Sequence, residues 1–194
     1  MRIIISLIVF LLTMAGLRAA DRINFFHIGL EQGLSQSTVV DIIQDKRENM
    51  WIATHNGLNR YDGYDFTVYH HNDADTSSIA SDVIRSLALD ESGKIWIGTG
   101  AGLSLYNPEL DIFYNYSCVC EGKKQQVLDV ACLEEGNLLV ATDAGLLYFD
   151  SRSGVFDSLQ IPTELQKVRP RTLARYGDEV YIGSYQGLFV YSLK

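Results

Sequence analysis

An all-β protein, a β-propeller of four-stranded antiparallel blades with four repeats present, is what this sequence predicts. Three observations predict it. One pattern of about a dozen residues recurs four times, alternating strand-forming runs flank each copy, and all three prolines fall between predicted strands.

The recurring pattern runs from Met50 to Tyr61, Ile95 to Tyr106, Leu138 to Phe149 and Val180 to Tyr191. Its marker glycines, Gly57, Gly102, Gly145 and Gly187, lie 45, 43 and 42 residues apart. Each copy reads as two strands joined by a tight turn, because apolar and small residues alternate up to a Thr or Ser and resume after the glycine. The glycine supplies the positive φ that such a turn requires. Trp51, Trp96, Leu139 and Tyr181 share one repeat position. Bulk in every blade is what sheet-to-sheet packing needs, whereas a ligand touches few blades, so Trp51 and Trp96 are expected in the core.

Another alternating run precedes each pair, at Val39–Gln44, Val83–Leu89, Val127–Leu133 and Thr172–Tyr176, with a short polar turn after it. A fourth strand follows in three copies, at Asp65–Tyr69, Ile112–Tyr116 and Val155–Leu159. Asp62-Gly63 before the first of these is a favoured type I′ hairpin pair. Four antiparallel strands per repeat of this length make a propeller blade.

The chain divides accordingly. Residues 1–20 read as a signal peptide: a basic start at Arg2, an apolar run too short to span a membrane, then Ala19-Ala20. Residues 21–36 read as an unpaired outer strand, Ile23 to His27, with a lead-in loop. Blades 1 to 4 occupy 37–80, 81–124, 125–167 and 168–194, the last stopping after its third strand. Two arrangements fit this phase. Either the N-terminal strand completes blade 4 in a closed four-bladed ring, or the four blades are part of a larger ring.

Loss of Arg2 and Arg18 with the leader takes the formal charge from −8 to −10. Such a chain repels phosphate backbones, so nucleic acid is not an expected partner, and no second apolar run of spanning length follows the leader. Cys118, Cys120 and Cys132 are too few and irregular for a disulfide framework, and no nearby pair completes a metal set. No metal and no cofactor is expected.

The run Trp96-Ile97-Gly98-Thr99 with Gly102, Leu103 and Tyr106, led by Asp90 to Ile95, closely resembles the two-component regulator propeller repeat. Phe26 to Ser37 resembles the lead-in to such sensors, and the resemblance covers residues 23–194. It implies the N-terminal, periplasmic sensor part of a Bacteroidetes hybrid two-component sensor histidine kinase. It also implies a larger, seven-bladed ring, of which this chain would be a fragment, and a ligand drawn from glycan breakdown products. No phosphoacceptor helix or ATP-binding glycine box is visible, so no kinase activity is expected of this chain.

Neutral or weakly charged sugars suit an acidic protein offering side-chain hydrogen bonds and aromatic faces. The loops between second and third strands, and those between blades, open on one face. Their blade-specific residues are the candidate ligand contacts: His55, Asn56, His71, Asp143, Tyr185 and Gln186. Ordinary solvated loop residues are the alternative for each.

No catalytic residue is assigned. His70 and His71 are a poor metal pair because adjacent strand residues point to opposite faces. Asp90 to Trp96 has an Asp-box flavour without the serine two places before the aspartate, which is Ala88. A glycan-cleaving propeller enzyme is thus the weaker reading, and a protein-interaction platform or self-association through open strand edges is the third.

Overall fold

The computed structural model describes residues 24–158 and 160–193. The expected signal peptide lies outside the described residues, as do Ile23 and Leu159.

Blade 1 holds β1 (Val39–Gln44), β2 (Met50–Thr54), β3 (Leu58–Tyr61) and β4 (Phe66–Tyr69). Blade 2 holds β5 (Ile84–Leu89), β6 (Ile95–Thr99), β7 (Gly102–Asn107) and β8 (Ile112–Tyr116), followed by a small hairpin of β9 (Val119–Cys120) and β10 (Lys123–Lys124). Blade 3 holds β11 (Val127–Cys132), β12 (Leu138–Thr142), β13 (Gly145–Asp150) and β14 (Val155–Asp157). Blade 4 has three strands, β15 (Pro170–Tyr176), β16 (Glu179–Ser184) and β17 (Gly187–Ser192). Every sheet is an antiparallel meander in chain order. The four form part of a propeller ring, with β1, β5, β11 and β15 packed successively as its inner strands.

The core lies between blades, which is why the repeats stack rather than fold singly. Trp51, Ile84, Leu87 and Ile97 share one cluster between blades 1 and 2. Trp96, Val127, Val130 and Val140 share one between blades 2 and 3, and Leu139, Leu146, Leu173 and Ile182 one between blades 3 and 4. Trp51, Trp96 and Leu139 are each 1% exposed, as the packing argument expected. Tyr181, their counterpart in blade 4, is half-buried, and no following blade lies against it among the described residues.

Three details differ from the sequence reading. Residues 24–27 join no strand, and Phe25 and Phe26 are exposed; β17, the edge that a closed ring would pair with them, has only β16 beside it. The four blades therefore form an open arc. Pro170 begins β15 instead of preceding it, a position where its missing N–H removes no ladder bond. Asp62-Gly63 is no two-residue hairpin turn: Tyr61 pairs with Phe66 across four residues, because the Asp62 carboxylate accepts the amides of Tyr64 and Asp65 at 2.9 and 2.8 Å.

Candidate functional site

Strand register fixes one face of the arc. Val39 pairs with Thr54, and Leu58 with Tyr69, so the start of the inner strand, the turn between second and third strands, and the exit toward the next blade share one end of blade 1. Both pairings repeat in blade 2, and blade 3 repeats the first, Val127 with Thr142. At that end the hydroxyls of Thr54, Thr99, Thr142 and Ser184 donate to the carbonyl oxygens of Gly57, Gly102, Gly145 and Gly187, at 2.8, 2.9, 2.8 and 2.9 Å. These bonds hold the turns that present the predicted residues.

His55 and Asn56 sit on the blade 1 turn, both exposed. The lead-in loop braces them: the His55 amide donates to Gln36 Oε1 at 3.0 Å and Asn56 Nδ2 donates to the Ser35 carbonyl at 3.2 Å. His71 lies in the linker to blade 2, where its ring bridges the Ile79 carbonyl (2.7 Å) and the Asp73 carboxylate (3.0 Å). Those two hydrogen bonds raise its pKa above the ordinary histidine value. Its amide donates to Asp82 Oδ1 at 2.7 Å, so His71 organises the linker as well as facing solvent.

Asp143 and Gln186 are exposed on the turns of blades 3 and 4. Tyr185 is 83% exposed, with the Arg171 guanidinium 5.3 Å from its ring centroid. Arg169 Nη1 donates to the Asp143 carbonyl at 3.4 Å. The predicted residues thus fall into two groups: His55, Asn56 and His71 on blade 1 and its exit, and Asp143, Tyr185 and Gln186 on blades 3 and 4.

Sequence reasoning missed two arginines at this end of the blades. The inner strands carry a β-bulge at the same point in every blade, at Val40, Arg85, Leu128 and Arg171. A bulge re-aims its side chain, and this one sits at the loop-face end of the strand. Aligning the repeats at that position would have shown two arginines alternating with apolar residues. One residue further, Asp41 Oδ2 accepts the Leu87 amide at 2.8 Å, and Asp129 Oδ2 accepts the Leu173 amide at 2.6 Å and the Thr172 hydroxyl at 2.9 Å. These carboxylates clasp blade 1 to 2 and blade 3 to 4.

The opposite end carries a cleft of about 440 Å³ between the inner-strand ends of blades 2 to 4, lined by Cys132, Leu173 and Arg175 among others. Its arginine is already engaged, donating to the Cys132 carbonyl at 3.0 Å. Burial pushes the Cys118 and Cys132 thiols up to about 12, so both stay protonated and unreactive at neutral pH.

Two segments, residues 33–56 and 78–101, match the family model of the two component regulator propeller. These two segments are similar to two-component regulator propeller repeats. A 48-residue stretch is 50% identical to Histidine kinase P4 of Formosa agariphila, covering 25% of this chain and 4% of that protein. The extracellular domain of the hybrid two component system BT3049 of B. thetaiotaomicron is 29% identical at a TM-score of 0.70, over 87% of this chain and 25% of that one. The corresponding domain of BT4673 is 22% identical at 0.64, over 82% and 22%, and shares the fold. The chain therefore spans about a quarter of the BT3049 domain it resembles. No helix among its described residues is long and apolar enough to cross a membrane.

Proposed function

We propose that this regulator propeller is a ligand-recognition module of a periplasmic two-component sensor, binding an oligosaccharide released by glycan breakdown. The observation that carries the reading is its 29% identity, over 87% of its length, to the extracellular domain of a hybrid two component system. The loop face supports it from the other side. Side chains there differ from blade to blade on turns whose backbone is held identically, which is the division between scaffold and specificity that a binding site uses. Export through residues 1–20 goes with this reading, as does non-covalent chemistry without a catalytic residue.

A calorimetric titration of the chain against a panel of disaccharides and trisaccharides tests the proposal. Binding that Tyr185→Ala and His55→Ala weaken at least fivefold, with unchanged thermal melting, is expected. Saturable binding insensitive to every loop-face substitution would place the site elsewhere and overturn it.

A further inference from the structure

We infer that the ligand bears an acidic group, a sugar carboxylate or sulfate, and that Arg85 and Arg171 read it. This rests on the sugar-recognition reading above and narrows it, against the sequence expectation of a neutral or weakly charged ligand. Arg85 and Arg171 occupy the bulge position in blades 2 and 4, so the repeat places them at one height on the inner strands around the mouth of the arc. Neither has a carboxylate partner among the described residues. Arg60, Arg152 and Arg175, away from this mouth, are paired with Asp111, Glu135 and Glu134.

Arg85 is half-buried, and its guanidinium end is held by Gln126 Oε1. Its Nε–H is buried with no acceptor. A buried donor without a partner carries a desolvation cost that an arriving acceptor removes. Arg171 is exposed and stacked on Tyr185, which orients its planar donor fork while leaving an aromatic surface beside it for a sugar ring. Charge-assisted bonds from such forks suit carboxylate and sulfate oxygens. The inner-strand carboxylates one residue beyond the bulge, Asp41 and Asp129, already accept backbone amides of the following blade. The chain's net negative charge does not decide the matter, because exposed charges beyond about 8 Å are screened at physiological salt while contact pairs are not.

The test is calorimetry on the full chain with four probes: digalacturonate, a monosulfated galactose disaccharide, the uncharged galactose disaccharide, and inorganic sulfate. We expect one acidic disaccharide to bind at least tenfold tighter than the neutral one, its identity separating carboxylate from sulfate. Arg85→Gln and Arg171→Gln should each weaken it tenfold or more at unchanged melting temperature. Arg171 is exposed, so that variant reports on binding even if Arg85→Gln unfolds. Equal affinity for neutral and acidic disaccharides, acidic binding that survives both substitutions, or no acidic binder at all overturns the inference. Arginine-dependent binding of inorganic sulfate without any disaccharide keeps the arginine site and sinks the sugar reading. Binding of the neutral sugar with both arginine variants unaffected does the reverse.

Discussion

The indole N–H of Trp51 donates to Oδ2 of Asp45 at 2.9 Å, so the largest buried ring of blade 1 is anchored by the residue that opens the turn before it. The other oxygen of Asp45 accepts the amides of Arg47 and Asn49, at 2.8 and 2.9 Å. Blade 2 repeats the arrangement, with Trp96 Nε1 at 3.3 Å from Asp90 Oδ2 and the Lys94 amide on Oδ1 at 2.9 Å. In blades 3 and 4 both members change together, to Leu133 with Leu139 and Tyr176 with Tyr181. A leucine has no N–H to satisfy, and the Tyr181 hydroxyl donates instead to Glu179 at 2.8 Å. The Asp-box flavour of Asp90 to Trp96 is thus a turn-and-core device.

Trp51→Ala should cost roughly 3–5 kcal/mol, the usual loss for a buried aromatic. Trp51→Phe keeps most of the apolar contact and forfeits the bond to Asp45, and should cost about 1–3 kcal/mol. Urea denaturation of the two variants measures both, and equal losses would show that the indole N–H contributes nothing.

Acid should unfold the protein through these same carboxylates. Burial alone raises Asp45 and Asp90, but their hydrogen bonds, from Asn49 and Trp51 and from Ser92 and Lys94, outweigh it and hold both below the ordinary 3.8. Because the folded values lie under the unfolded ones, the stabilisation is complete above about pH 4 and disappears as pH falls through the folded pKa values. Melting temperature followed from pH 6 to pH 2 should drop steeply below about pH 4. In Asp90→Asn the drop should be shallower; an identical slope would remove Asp90 from the account.

Gly102 carries a φ of +134°, and a Cβ there would stand 2.6 Å from the Tyr116 carbonyl oxygen. Gly63, at +99°, has nothing within 4 Å of that point. Gly102→Ala should therefore destabilise by about 2 kcal/mol or more, combining backbone strain with a steric clash, and Gly63→Ala by about 1 kcal/mol from strain alone. Chemical denaturation that ranks them the other way would refute the turn argument.

The outer edge of blade 4 should exchange its amide hydrogens quickly. β17 pairs only with β16, and Leu188 and Val190 are 66% and 51% exposed. Exchange of the β17 amides that point away from β16 is expected to outpace that in β13, which is paired on both sides, by orders of magnitude. Equal protection in dilute solution would mean that another strand covers this edge.

The blades were legible because they repeat: glycine spacing and period-two alternation gave the strands, and demand for bulk at one position gave Trp51 and Trp96 as core. The strand at Ile23 to His27 was not, since alternation specifies a strand only where an edge receives it, and none does among the described residues. The candidate site was legible as turns but not as chemistry. His71 is a candidate ligand contact by sequence, yet its two ring nitrogens face the Ile79 carbonyl and Asp73. Arg85 was hidden in a run read only for hydrophobic period, where an extra bulge residue breaks the alternation, and Arg171 lay just outside the run that starts at Thr172.

The bond from each turn hydroxyl to its glycine carbonyl closes within four residues, from Thr54 to Gly57 and again in each later blade. A device so local travels with its own stretch of gene. Duplicating or deleting one blade then leaves every remaining turn intact, and only the contacts between newly adjacent sheets have to be refitted. Lineages can in this way change the number of blades in a ring by recombination, while drift at the residues between hydroxyl and glycine, His55-Asn56 in one copy and Tyr185-Gln186 in another, supplies new surfaces without touching the frame.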